Sequence, residues 1–262
     1  MAAEGFVFDL PHAQALTQAR QAALEPLLRA LRRQGACRAL DVGCGVGYFA
    51  QWLRGLGYEV LGVEGRPENI QEARRRHPDL VFEVADVEDL GIRSLGAFDV
   101  VLCLGLLYHL ENPVLALRNL RAVTGQVLIV ETMVVPDRRP VLLLLDEGQG
   151  LDQSLRGFAL YPSQAAVTAM LYRVGFEGVF VLPVPEHPDF LGSPMRRRAR
   201  AMFAATDSSA IQKVGLAPAA KTSWMSDPWA TALSRLYARA PSGVRNAARL
   251  AVRMLRGPLA LA

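Results

Sequence analysis

Apolar positions along the chain recur in two alternating styles. Residues 16–31 repeat leucine and alanine at helical spacing, and CRALDV then forms a short apolar run. A helix through 49–53, the run YEVLGVE, a helix after Pro67 that ends near RRRHP, and the run VFEVAD follow in turn. Strands alternating with helices predict crossover units and a parallel sheet. FDVVLCLGLL is apolar throughout, as expected of a strand covered on both faces. A helix over 113–123 leads into QVLIVETMV, the fifth strand; 162–174 predicts another helix, GFEGVFVLPV a sixth strand and RARAMFAA a seventh. Residues 134–161 mix DRRP, a leucine run and the Gly-rich DEGQGLD without clear periodicity. They predict an insertion over the ligand edge of the sheet.

With 262 residues, 51% apolar and 21% charged, the chain can bury one good core and a small appendage. The longest nearly uncharged apolar runs, 100–110 and 141–145, fall far short of the roughly 20 residues a membrane span needs. MAAEGFVFDL lacks the basic-then-apolar order of a signal peptide, so a cytoplasmic location is expected. Cys37, Cys44 and Cys103 are too few and scattered for a disulfide frame or a zinc site, and are expected to be small buried side chains. Charge divides the chain. Residues 1–193 hold 17 arginines against 23 acids, a net −6, whereas residues 194–262 hold 12 basic residues against Asp207 and Asp227, a net +10.

The chemistry begins at LDVGCGVGYF, where Gly43, Gly45 and Gly47 follow the first strand. In an open α/β sheet ligands bind beyond the strands' carboxyl ends, where strand order reverses, and this turn lies there. Glycines let a backbone approach a ligand closely, and the next helix N-terminus offers free amides to an anion. The spacing departs from the dinucleotide pattern G-x-G-x-x-G, with Tyr48 in place of the last glycine, and no G-K-[ST] follows. Glu64 ends the second strand about 20 residues on, where an acid can meet a ribose diol. Asp86, in VADVEDL after the third strand, can accept from an adenine amine, with Val87 as an apolar edge. Loop, ribose acid and adenine acid make a nucleoside site.

In these motifs the sequence resembles the class I S-adenosylmethionine-dependent methyltransferases, over about residues 15–206, with LDVGCGVGYF, GVEGRPENI, VADVEDL and FDVVLCLGLLYHLENP in the expected order. The resemblance implies a doubly wound, Rossmann-like α/β fold with seven mostly parallel strands, ordered 3-2-1-4-5-7-6 with strand 7 antiparallel. It implies S-adenosyl-L-methionine as cofactor, held by Asp41, Gly43, Cys44, Gly45, Gly47, Glu64, Gly65, Asp86, Val87 and Leu104. Glu64 would take the ribose, Asp86 the adenine, and the loop the methionine end, with Asp41 or a loop carbonyl facing its ammonium. GLLYHLENP, VLIVETMVV, YPSQAAVTAMLYRVGF and RARAMFAA are also similar to the catalytic half of the bacterial tRNA wobble-uridine carboxymethyltransferases and to small-molecule and sugar methyltransferases near it. In that tRNA family a tyrosine and an arginine, matching Tyr108 and Arg200, meet the extra carboxylate of a modified cofactor.

Methyl transfer from a sulfonium is an in-line displacement, so a hydroxyl acceptor must be aligned and lose its proton. No metal is required. His109, just past the fourth strand, is a candidate base, a wall of the cofactor pocket, or without role; Glu131, ending the fifth strand, is a second candidate base. Absence of a Cys-rich site argues against arsenic as acceptor, and LGLLYH in place of N-P-P-Y or D-P-P-Y argues against amino-purine, cytosine or glutamine N-methylation. An oxygen acceptor is favoured over these. Residues 134–161 and 183–195 are expected to cover its pocket, with Tyr161, His187 and Arg138 as polar candidates beside Tyr108 and Arg200. The expected function is O-methylation of a glycosyl or other small hydroxylated acceptor; the alternatives are a tRNA-uridine modifying transferase and a non-catalytic nucleoside-binding module. The reading divides the chain into a catalytic domain, 1–206, and a basic helical extension, 207–262. There Ser226-Asp227-Pro228 and Ser242 start helices, and Arg245, Arg249, Arg253 and Arg256 form one stripe. That stripe is a solvated helix face, an anchor for an anionic membrane, or a grip on nucleic-acid phosphate.

Overall fold

The computed structural model describes residues 6–191, 199–207 and 219. A long helix, α1 (Pro11–Arg33), precedes the sheet. Then β1 (Arg38–Val42), α2 (Tyr48–Gly55), β2 (Glu59–Glu64), α3 (Pro67–Arg76), β3 (Val81–Val84), β4 (Phe98–Leu104), α4 (Pro113–Val123) and β5 (Thr124–Val134) alternate as the apolar pattern predicts. Two strands of the insertion follow, β6 (Leu142–Asp146) and β7 (Phe158–Pro162), then α5 (Gln164–Arg173), β8 (Gly178–Val181) and β9 (Ala199–Thr206). The main sheet runs β3-β2-β1-β4-β5-β9-β8, parallel from β3 to β5, with β9 antiparallel to both neighbours. Since β8 and β9 are the sixth and seventh strands of the sequence reading, this is the order expected there.

Side-chain alternation assigns the two faces. Ala39, Val60, Val100, Leu102 and Ile129 point to the side covered by Leu24, Leu28 and Leu31 of α1, Leu53 of α2 and Ile70 of α3. Their neighbours Leu40, Val42, Val101, Cys103 and Leu128 meet Leu117 and Leu120 of α4 and Val167 and Leu171 of α5. A period of two along each strand thus feeds helices on both faces. At the sheet's lower edge the Asp99 carboxylate ties three strands: it accepts from the Cys37 and Arg38 amides at 2.7 and 2.9 Å and from the Gln126 side chain at 3.0 Å. Cys37 corrects the expectation of three buried cysteines. It precedes the buried run of β1 and is exposed, while Cys44 and Cys103 are buried.

The insertion forms its own antiparallel pair, β6 with β7, and the intervening residues 147–157 cross to the cofactor side as a strap. Arg66 donates to the carbonyls of Gln153 and Ser154 at 3.3 and 2.9 Å, and Asn69 to that of Leu151 at 2.9 Å. Among the described residues no helix is long and apolar enough to cross a membrane. The boundary read after residue 206 and the helices read from Ser226 and Ser242 fall where the description ends or beyond it.

Candidate active site

β1 runs into the glycine loop at the point where strand order reverses, with β2 on one side and β4 on the other. The loop is pinned to β2 because the amides of Gly43 and Cys44 both donate to the Val63 carbonyl, at 2.8 and 3.1 Å. Gly43 and Gly45 border a cavity of about 210 Å³. Gly45 has φ of 53°, in the left-handed region, and a Cβ on it would stand 3.2 Å from the Phe8 ring, so the N-terminal segment closes directly over the loop. Gly47, also left-handed, has a different task. It opens α2 away from the cavity, where a Cβ would stand 2.8 Å from the Phe82 ring and 2.9 Å from His77. Cys44 is buried with its thiol toward Gly62 of β2. Both residues support the loop from behind.

Asp41 lies behind it too. The carboxyl is buried, takes the Ala50 amide in the first turn of α2, and leaves one oxygen without a partner; burial pushes its pKa up to about 7, against that amide and with the help of the Glu64 charge. It braces the loop rather than bordering the cavity, which is a different place from the one expected for a group that faces an ammonium.

Glu64 and Asp86 do border the cavity, with Gly65, Val87, Leu104 and Leu110. The Glu64 carboxylate accepts from the Gly45 and Arg66 amides at 3.2 and 2.9 Å. A carboxylate has about four acceptor positions, so capacity remains for a diol. Burial raises its pKa while the two amides oppose the rise. Asp86 accepts from the Glu88 amide at 2.9 Å and from Arg156 of the strap at 2.8 Å. Two acids separated by an apolar stretch, beside a bare glycine backbone, fit the diol, base and amino-acid tail of S-adenosylmethionine.

Arg20, Tyr108 and Arg200 border the same cavity from distant parts of the chain. Glu131, fully buried on β5, accepts from Arg20 of α1 at 2.6 Å and from Arg200 of β9 at 2.9 Å. Burial works against its charge, but the two guanidiniums outweigh it and hold the carboxyl below its usual range. This corrects its nomination as a base: an ionised acid enclosed by two cations is a counter-ion. Arg200 also donates to the Tyr108 hydroxyl at 3.3 Å and lies 5.5 Å over that ring.

His109 ends a short 3-10 turn after β4, its ring 3.9 Å from that of Tyr108, and its Nδ1 is 2.5 Å from Glu147 Oε2. It borders both the cofactor cavity and a second cavity of about 200 Å³, lined also by Tyr108, Met133, Glu147, Asp152, Gln153, Tyr161, Asp189 and Arg200. Tyr161 meets Tyr108 edge to face at 5.3 Å. Arg138 and His187 line neither cavity; Arg138 is exposed and, among the described residues, paired with no acid, and His187 accepts from the Asp189 amide at 3.3 Å. The sequence reading missed Arg20, Glu147, Asp152, Gln153 and Arg156. For Arg20 a signal existed: it sits on the apolar stripe of α1 between Leu16 and Leu24, where only a partnered charge can be buried.

A family profile described as a methyltransferase domain matches residues 40–126. Among curated proteins the chain is similar to the tRNA U34 carboxymethyltransferase of Citrifermentans bemidjiense, 33% identical over 162 residues, which takes in 59% of this chain and 49% of that protein. It is also similar to the ubiquinone biosynthesis O-methyltransferase of Xanthomonas axonopodis pv. citri, 34% identical over 99 residues, or 36% of this chain and 41% of that protein. The chain therefore spans about half the length of the curated relatives it matches. Among solved structures, the N-terminal domain of EvdMO1 with SAH (S-adenosylhomocysteine) bound shares the fold, with a TM-score of 0.62 at 24% identity over 78% of this chain and 90% of that one. Sheet order and sequence relatives agree: residues 40–126 carry a methyltransferase domain, and the chain is similar in fold and sequence to the class I S-adenosylmethionine-dependent methyltransferases.

Proposed function

We propose that the chain is an S-adenosylmethionine-dependent O-methyltransferase whose acceptor is a glycosyl unit or another small hydroxylated molecule. The observation that carries this reading is the second cavity. It is small, it joins the cofactor cavity along Tyr108, His109 and Arg200, and its wall sets Glu147, Asp152 and Asp189 against Arg200. Carboxylates, an amide and a guanidinium around two tyrosines suit vicinal hydroxyls, which both donate and accept. A phosphate-rich acceptor would meet three carboxylates there, which weighs against nucleic acid.

When bound, the cofactor supplies an electrophilic sulfonium methyl group. The chain has to hold an acceptor oxygen in line with that group and remove its proton. The glycine loop, Glu64 and Asp86 hold the cofactor; the Arg20–Glu131–Arg200 cluster fixes Tyr108 as a wall between the cavities; His109 takes the proton. A panel of hexoses, deoxyhexoses and small phenols, scored for acceptor-dependent S-adenosylhomocysteine, tests the reading. One hydroxylated class should react and gain its methyl on oxygen, and His109→Ala should lower turnover by about 10²–10⁴ with S-adenosylhomocysteine affinity kept. Methylation on nitrogen, or no turnover of any hydroxylated acceptor, would sink it, and wild-type turnover in His109→Ala would remove His109 as the base.

The curated tRNA relatives and the Arg200–Tyr108 contact favour a second reading, transfer to a tRNA uridine. That reading demands tRNA binding that weakens steeply with salt, through released counterions. Absent or salt-insensitive binding removes it, and acceptor-dependent turnover of any kind excludes a non-catalytic nucleoside-binding module.

A further inference from the structure

We propose that Glu147 is the positioning residue of His109, holding its ring with Nδ1–H toward the strap so that Nε2 receives the acceptor's proton. This deepens the O-methyltransferase reading and rests on it. Four observations carry the assignment. The Nδ1 to Oε2 distance is 2.5 Å, with the two side chains only 10% and 13% exposed. The carboxylate is itself held, since the same Oε2 accepts from the Ser154 amide at 3.0 Å, and Ser154 in turn offers its carbonyl to Arg66 at 2.9 Å. The ring also lies against Tyr108, 3.9 Å between centroids, which restricts its rotation. Among the described residues Nε2 has no hydrogen-bond partner, and the ring borders both cavities.

The chemistry follows from donor capacity. A carboxylate only accepts, so the ring nitrogen it faces carries the proton, and the other keeps its lone pair. During transfer the acceptor O–H bond breaks, its proton goes to Nε2, and the oxygen's electron pair forms the bond to the methyl carbon as the sulfonium sulfur leaves with the old pair. Glu147 then balances the imidazolium.

Two measurements on the full-length protein test this. Histidine labelled with ¹⁵N reports the tautomer of His109 without any acceptor, the signal among the protein's four histidines being assigned by its loss in His109→Ala. The wild type should show the Nδ1–H tautomer, and Glu147→Ala a mixture of both; an unchanged tautomer overturns the proposal. For turnover, Glu147→Gln keeps an acceptor for the Ser154 amide and removes the charge. With the acceptor found in the panel above, it should lower kcat about 10–100-fold while acceptor KM and S-adenosylhomocysteine affinity move less than about threefold. Combined with His109→Ala, it should cost nothing further, because a residue that acts through the base has no effect once the base is gone. If Glu147→Gln slows the His109→Ala enzyme as much as the wild type, or leaves kcat unchanged while His109→Ala is impaired, Glu147 is not the positioning residue. If His109→Ala is unimpaired, the base assignment itself has failed.

Discussion

Asp41 and Glu131 are both carboxyls removed from water, and their neighbours send them in opposite directions. Behind the loop, burial outweighs the Ala50 amide and pushes Asp41 up to about 7, whereas an unfolded aspartate titrates near 3.9. A raised carboxyl stabilises the fold fully below about pH 4 and loses that contribution as pH rises through about 7. Asp41→Asn removes the titration. Across this window the cofactor-free wild type should therefore lose roughly 4 kcal/mol more stability in urea melts than the variant does. Parallel profiles for the two proteins would mean that the carboxyl stays ionised. Glu131 is held the other way by Arg20 and Arg200, and its loss leaves Arg20, buried, without its counter-ion and Arg200 with only Asp189, at 3.6 Å. Glu131→Gln should cost about 3–5 kcal/mol and lower the melting temperature. A normal melt with turnover alone abolished would return Glu131 to the role of base.

Among the elements, helices and strands were legible because each writes its buried face in its own period. α4 has the bounds the sequence predicts, with the Asn112 side chain capping the Leu115 amide and Pro113 in the first turn. The strap escaped the same reading. Leu142, Leu143 and Leu144 of β6 are all exposed, so apolar spacing there does not report a core. Its latch, Arg156, reaches Asp86, Glu111 and, at 3.9 Å, Glu88, from 70 residues beyond Asp86. Arg156 is 41% exposed, and such pairs contribute only about 0–1 kcal/mol each. Arg156→Ala should accordingly weaken S-adenosylhomocysteine binding only about two- to fivefold by calorimetry. It should also speed proteolytic nicking within 147–157 in the ligand-free protein. Unchanged affinity together with unchanged nicking would assign the strap's closure to Arg66 and Asn69 alone.

At the scale of the whole molecule the contrast of charge sets the remaining prediction. Residues 226–262 carry six arginines in a chain whose first 193 residues are net acidic. Near an anionic leaflet each arginine contributes about 1 kcal/mol, an attraction that decays within a Debye length of about 8 Å at physiological ionic strength. Full-length protein should sediment with phosphatidylserine vesicles at low salt, and protein truncated after residue 225 should not, with S-adenosylhomocysteine affinity retained. Absence of vesicle binding by the full-length protein, with a lowered melting temperature on truncation, would assign the segment to packing. Sequence alone determined the succession of strands and helices, the two-faced cover of the sheet, the glycine loop and its two following acids, and the strand order followed from the family resemblance that those motifs carry. Each of these is set by neighbours within a turn or a strand, or by the order in which such units arrive. Tertiary structure decided which charges meet. Arg20 and Glu131 lie 111 residues apart and His109 and Glu147 lie 38 apart, yet each pair is in hydrogen-bond contact. Nothing in the spacing of either pair announces this, because Coulomb and hydrogen-bond energies depend on distance in space, and only the folded chain sets that distance.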